Sequence, residues 1–332
     1  ATMGVALLRP LTFSLPPATG LVMLCGIYCG AIYGGSISAI LIRTPGTPAA
    51  AATVFDGNEL AKKGLAGKAL GMSAIASGAG GIFSALCLTF IAPELARVAL
   101  SFSSPEYFAM GLLGLSIVAS ISGDYVVRGL ISACIGLLVG LVGLDNLNGY
   151  PRFTFGLVDL LNGVSFIPVL IGLFAVSEAM RTTESMIKTA HVDFKLSGVL
   201  PSFSELRGCA KTILKSSAIG TMIGIIPATG GDIAAFLAYG EAKRSSKNGD
   251  KFGTGELEGV AAPEAANNGV TGGALIPLMT LGIPGDAVTA IFLGALMLQG
   301  LRPGPLLFKD NAELVYAIFA GMFLANIIFL LF

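Results

Sequence analysis

Glu264, Asn267 and Asn268 fall within five residues of one another, inside the run Gly255-Glu-Leu-Glu-Gly-Val-Ala-Ala-Pro-Glu-Ala-Ala-Asn-Asn-Gly269. Residues three and four apart share a helix face. A carboxylate and two amides on one face can hold Na⁺ or a proton, or cap a broken helix. An ionisable side chain at membrane depth is a functional hypothesis by default. At the membrane surface the same Glu264 is a solvated helix end. The sequence leaves both readings open.

Two other segments resemble each other. The first is Tyr33-Gly-Gly-Ser-Ile-Ser-Ala-Ile-Leu-Ile-Arg-Thr-Pro-Gly-Thr-Pro48 and the second is Thr271-Gly-Gly-Ala-Leu-Ile-Pro-Leu-Met-Thr-Leu-Gly-Ile-Pro-Gly-Asp286. Each has a Gly-Gly pair, an apolar run and a Pro-Gly. Gly34 and Pro45 are 11 apart, and Gly272 and Pro284 are 12 apart. Two broken helices in corresponding places point to a transporter site; coincidence in a glycine-rich chain is the competing account. Asp232 and Asp286 each follow a Gly-containing turn, where a carboxylate can cap a half-helix. Half-helix N-termini facing one cavity make an anion site.

The candidate substrate ligands are therefore Ser36, Thr44, Pro45, Gly46, Thr47, Thr229, Gly230, Pro284, Gly285, Asp286 and Thr289. The candidate ion-coupling residues are Asp232, Glu264, Asn267 and Asn268. Arg43 either pairs with a substrate carboxylate or snorkels to the membrane surface.

The elements that position these residues must lie in a bilayer. Of 332 residues, 54% are hydrophobic and 12% charged, against about 25% charged in soluble domains. Mean hydropathy is +0.82. Soluble enzymes are excluded as a class. The 20 basic and 20 acidic residues balance, so no basic excess is available for nucleic acid.

Cys25 and Cys29 share a helix face, but no His completes a metal set. Small apolar packing residues are the reading for the cysteines. No metal is expected beyond a Na⁺ site, and no cofactor. An aspartyl GxGD site would need Gly where Thr229 and Ile283 stand, and no HExxH occurs. An enzyme is not expected.

Apolar stretches fall near 18–42, 65–92, 106–122, 126–144, 163–180, 212–239, 257–281, 286–300 and 312–332. The fold class is an all-α, polytopic membrane bundle with broken helices or re-entrant hairpins and an internal, inverted repeat. The expected organisation is an N-terminal repeat over 1–180, incomplete at its start, a cytoplasmic linker over 181–211 and a truncated C-terminal repeat from 212 to 332. Ala1 is not Met and the end is apolar, so a piece of a longer protein is expected.

Basic residues cluster at 43–68, 181–215 and 243–251, which places those loops in the cytoplasm. The apolar segment 212–239 lies between two such clusters. A re-entrant hairpin turning at Pro227, Gly230 and Gly231 returns the chain to the same side. Two spans with a tight outer turn, or one long tilted helix, are the alternatives. The Gly26-Gly30-Gly34, Gly136-Gly140 and Gly220-Gly224 stripes predict close helix packing.

Several motifs resemble the large membrane subunit of the tripartite tricarboxylate transporter family. They are Tyr33-Gly-Gly-Ser36, Thr44-Pro-Gly-Thr-Pro48, Asp56-Gly57, Pro105-Glu-Tyr-Phe108, Pro151-Arg-Phe-Thr-Phe-Gly156, Ala262-Pro-Glu-Ala-Ala-Asn-Asn268, Leu281-Gly-Ile-Pro-Gly285 and Gly300-Leu-Arg-Pro-Gly-Pro305. The resemblance implies a multi-pass protein of the bacterial inner membrane. Its partners would be a small four-span membrane subunit, a periplasmic solute-binding protein and an organic carboxylate such as citrate. It implies a secondary transporter, driven by symport of Na⁺ or H⁺; no Walker motif is present. A stand-alone ion-coupled carboxylate carrier is the alternative. The chain departs from the family at Pro227-Ala-Thr-Gly230, where a second Pro-Gly-x-Gly is usual, and at Arg43, where Asn is common.

Overall fold

The computed structural model describes residues 2–8, 12, 14–106, 108–109, 111–112, 116, 125–145, 148–165, 168–169, 171–177, 180, 200–227 and 229–331. The helices in chain order are α1 (Thr2–Leu8), α2 (Pro17–Ile42), α3 (Val54–Lys62), α4 (Ala66–Ala99), α5 (Val126–Gly140), α6 (Phe203–Ile225), α7 (Gly230–Ser245), α8 (Leu257–Leu281), α9 (Ala287–Leu298), α10 (Pro305–Asp310) and α11 (Ala312–Leu331). Among the described residues the only strands are β1 (Gly143–Leu144) and β2 (Pro151–Arg152). The chain is an all-α membrane protein. Among the described residues, α2 and α4 are apolar and long enough to cross a bilayer, at 26 and 34 residues, or about 39 and 51 Å of helix. Residues 181–199, most of the expected linker, lie outside the described residues, as do His191 and most of the stretch at 106–122.

Packing divides the chain into one unit of Ala1–Leu100 with Phe174–Phe332, and another of Ser101–Leu173. The first unit is built around α8. Every residue of α8 from Gly259 to Thr280 is buried. A helix apolar all round must be surrounded by others. Small residues set how closely they come. A Cβ on Gly80 of α4 would lie 2.1 Å from the Ala265 carbonyl oxygen, and one on Gly220 of α6 would lie 2.0 Å from that of Ala266. Only glycine permits those two backbone contacts. The Gly220-Gly224 stripe therefore packs as predicted. Among the described residues nothing lies within 4 Å of where the Cβ atoms of the Gly26-Gly30-Gly34 and Gly136-Gly140 stripes would be, so those stripes do not pack on a described helix. Pro263 and Pro277 remain inside α8. Each removes a backbone donor, which buried membrane helices tolerate when neighbours enclose them.

The apolar segment at 212–239 is two helices, not one. Pro227 supplies no N–H, and α6 stops at Ile225. α7 starts at Gly230, whose φ is +73°. Lys215 of α6 bonds Glu241 of α7, so the arms run antiparallel from the turn. At the other end of α6, Ser202 and Glu205 form a capping box. Lys68 Nζ reaches the same Glu205 carboxylate at 2.7 Å. Lys68, then Ser202, hold the Glu205 carboxyl down, to about 2.

The second unit holds α5 and a short hairpin in which Gly143 pairs with Arg152 and Leu144 with Pro151. Arg152 also pairs with Asp145 at 3.4 Å. Phe153 and Phe155 take left-handed backbone conformations, with φ of 51° and 50°.

Candidate functional site

Glu264 lies about two turns into α8 and is fully buried. It does not face solvent, so the reading as a solvated helix end is set aside. Four hydroxyls surround its carboxylate. Ser36 of α2 donates to Oε1 at 2.6 Å, and Thr53, from the segment before α3, donates to the same oxygen. Ser73 and Ser77 of α4 donate to Oε2 at 3.1 and 3.0 Å. Ser73 and Ser77 are four apart, so one face of α4 presents both. No salt bridge reaches Glu264 among the described residues. The carboxylate is solvated by neutral dipoles alone.

The two asparagines behave differently. Asn268 donates to the Glu264 carbonyl at 3.3 Å, and its Oδ1 has no partner. Asn267 is 1% exposed, and neither Oδ1 nor Nδ2 has a partner. It points at the start of α7: a Cβ on Gly231 would lie 2.5 Å from Asn267 Oδ1 and 3.5 Å from Ala49 Cβ. Buried unpaired polar atoms cost about 1–3 kcal/mol each. Native structures keep few of them, and each calls for an explanation.

The two helix breaks are built alike. α2 ends at Arg43 and α8 at Gly282, both left-handed, with φ of 57° and 73°. Thr44 N–H then bonds Ser38 C=O, and Ile283 N–H bonds Pro277 C=O. That six-residue closure is the Schellman pattern. Each chain next folds back on its own helix. A Cβ on Gly46 would lie 2.9 Å from Gly35 Cα, and one on Gly285 would lie 2.7 Å from Ala274 Cα. Thr47 and Asp286 then open the next helical turn. A single shift of 239 residues relates all of these positions. The unequal spacing read from the sequence came from pairing Gly34 with Gly272. Packing pairs Gly34 with Gly273, and the spacing to the proline is 11 in both copies.

This whole-chain order of motifs has a known counterpart. The family described as "Tripartite tricarboxylate transporter TctA family" matches residues 1–332. The chain belongs to the TctA family. An uncharacterised 52.8 kDa protein from the TAR-I ttuC' 3' region of Agrobacterium vitis is 39% identical over 327 residues, covering 98% of this chain and 65% of that relative. An uncharacterised protein from the TAR-II ttuC' 3' region of the same organism is 42% identical over 109 residues, covering 33% of this chain and 45% of that relative. The chain thus spans just under two thirds of the first relative and less than half of the second. No solved structure matches. TctA-family chains belong to tripartite tricarboxylate transport systems, which contain other subunits.

In this TctA-family chain the sequence-predicted residues divide by occupation. Ser36 is committed to Glu264. Thr289 and Asp286 cap α9 together, and Tyr28 donates to Asp286 Oδ2 at 2.5 Å. Thr229 donates to the carbonyls of Ile223 and Ile226. Thr44 donates to Ile42 C=O. Arg43, Pro45, Gly46 and Asp232 are exposed, Gly230 and Pro284 partly so, and Gly285 is buried. Thr47 Oγ1 is buried and unpartnered.

Sequence reading missed Thr53, Ser73 and Ser77 as partners of Glu264, and Tyr28 as a partner of Asp286. It also missed the work of Asp56. That carboxylate is fully buried and accepts the N–H groups of Gly253 (2.9 Å), Gly255 (2.8 Å) and Glu256 (2.8 Å), and the Tyr239 hydroxyl (2.9 Å). The polar spacing Ser73-x-x-x-Ser77 was the one available signal for the cage. The partners of Tyr28 and Asp56 are too distant in sequence to leave one.

Proposed function

We propose that this chain forms the large permease subunit of a tripartite, binding-protein-dependent system that takes up citrate-like tricarboxylates or related organic carboxylates. It spans the bacterial inner membrane several times. It works with a small four-span membrane subunit and a periplasmic solute-binding protein, and an ion gradient drives it. It is a secondary transporter and not an enzyme.

The Glu264 cage carries this reading. An ionised carboxylate with no basic partner is costly to keep in a low-dielectric interior. Hydroxyls offset part of that cost, and a bound Na⁺ or H⁺ offsets the rest. Hydroxyls can rotate to donate to a bare carboxylate or to turn lone pairs toward a cation. Glu264 is therefore the coupling residue: it takes up Na⁺ or H⁺ from one side and releases it to the other. The antiparallel pair α6–α7 supports the re-entrant arrangement, because the 16 residues of α7 make about 24 Å of helix, short of a ~30 Å hydrocarbon core. The breaks at 43–47 and 282–286 supply non-helical backbone of the kind that transporters use around a substrate, which supports the reading.

The test is uptake of labelled citrate by cells carrying the full-length permease with its small subunit. Binding protein is present or deleted, and Na⁺ or the proton gradient is removed in turn. The expected result is uptake that needs the binding protein and one of the two gradients. Uptake indifferent to the binding protein contradicts the tripartite reading and favours a stand-alone carrier. Uptake indifferent to both gradients contradicts the coupling role.

A further inference from the structure

The two breaks share their backbone but not their occupants. In the second, the Asp286 carboxylate sits on the N-terminus of α9. Its Oδ1 accepts from Thr289 N–H and the Thr289 hydroxyl, both at 2.7 Å, and its Oδ2 accepts from the Tyr28 hydroxyl at 2.5 Å. The carboxylate is enclosed by donors from both halves of the chain.

The 239-residue shift carries Asp286 back to Thr47, and Asn267 back to Tyr28. So the first break has Thr47 in place of the carboxylate and Asn267 in place of the phenol. Thr47 offers a hydroxyl where Asp286 offers a charge, and that hydroxyl has no partner. Thr47 Oγ1 and both polar atoms of Asn267 are buried and unbonded. The start of α7 lies against Asn267 and against Ala49, two residues beyond Thr47, at Gly231. Thr229, at the cap position of α7, makes no side-chain cap bond there. Unfilled N–H groups at a helix start favour an anion. Asp232 is exposed on the same turn. The counterpart of Thr289 is Ala50, whose N–H bonds Thr47 C=O, so the first break differs from the second in keeping an unbonded hydroxyl and an unbonded amide, with no carboxylate at Thr47.

We propose that the first break is a subsite for one carboxylate group of the substrate, held by the Thr47 hydroxyl, the start of α7 and the Asn267 amide with its Nδ2 turned toward the ligand, in the place that Asp286 fills in the second break. The second break is then self-occupied and takes no substrate. This assigns Asn267 to substrate and leaves the coupling ion to Glu264. The inference rests on the permease reading above.

The test uses the full-length permease with its small subunit, purified in detergent. Citrate binding is measured by titration calorimetry, with citrate triamide as the uncharged control. The parent is expected to bind citrate and not the triamide. Thr47→Asp supplies an internal carboxylate and is expected to weaken citrate binding at least about tenfold, and Asn267→Ala to weaken it about tenfold, the loss of one charge-assisted hydrogen bond. Elution volume and helical content should match the parent in both. Cys134→Ser, exposed on α5, is expected to bind as the parent does. Citrate binding unchanged in Thr47→Asp and in Asn267→Ala would overturn the subsite while leaving the permease reading intact. A parent that transports citrate yet binds no carboxylate would likewise overturn the subsite alone, and one that neither binds nor transports any carboxylate would overturn both.

Discussion

Asp56 and Glu264 are both fully buried carboxylates with no ion-pair partner among the described residues. They differ in what solvates them. Asp56 is held by three backbone N–H groups at the start of α8, plus one phenol. Gly253 and Gly255, at φ +88° and +97°, turn those N–H groups inward, as in an anion-binding nest. Backbone dipoles cannot turn away. Asp56 therefore fixes the chain entering α8. Glu264 is held by four hydroxyls from three other segments. Each of these can reverse from donor to acceptor. The same residue class makes a clamp where donors are fixed, and donors that rotate suit the switch proposed for Glu264.

Substitution should separate the two. Asp56→Asn puts an amide donor against backbone donors, and is expected to cost about 2–3 kcal/mol, as for a lost charged hydrogen bond. Thermal or denaturant unfolding of the detergent-solubilised protein measures it. Glu264→Gln keeps its size, and the hydroxyls can re-orient around an amide. It is expected to cost less than about 1 kcal/mol in the same assay. Equal losses would remove the distinction between clamp and switch.

Trimming the cage sharpens the comparison further. Ser77→Ala removes one of the two donors to Oε2. It should shift the Na⁺ or H⁺ concentration for half-maximal uptake by about threefold to tenfold, in line with ~1 kcal/mol for one hydrogen bond. Tyr239→Phe removes a donor from Asp56 and is expected to leave that concentration unchanged while lowering stability by about 1 kcal/mol.

The smallest effect belongs to a carboxylate that is neither clamp nor switch. Glu205 sits at the start of α6, with Lys68 and Ser202 holding its pKa down to about 2. Unfolded Glu titrates near ~4.3. Its stabilising contribution is complete above that value and is lost as pH falls through about 2. Glu205→Gln should flatten the melting temperature over that acid window and leave it unchanged near neutrality.

Much of the scaffold is legible in the sequence. The apolar run at 257–281 gives the bounds of α8, and 18–42 gives those of α2 within a residue. Pro227 signals the α6–α7 break because a missing N–H is a local property. Glu264, Asn267 and Asn268 are legible as a polar cluster in apolar sequence. Their separate roles are not. Helical spacing puts Glu264 and Asn267 on one face, but what each meets is decided by α4 and α7, far off in the chain. The register of the two breaks is one residue ambiguous in sequence for a related reason. Neighbouring glycines look alike in sequence, and only the packing of Gly46 on Gly35 and Gly285 on Ala274 separates them.

The most direct measurement is made on Glu264→Gln in the full-length permease with its small subunit and binding protein. Gradient-driven accumulation of labelled citrate is compared with citrate counterflow in the absence of any gradient. A coupling residue that exchanges an ion is needed for accumulation and not for exchange. The account predicts accumulation lost and counterflow retained. Accumulation equal to the parent's, or both activities falling together in a folded variant, would contradict it.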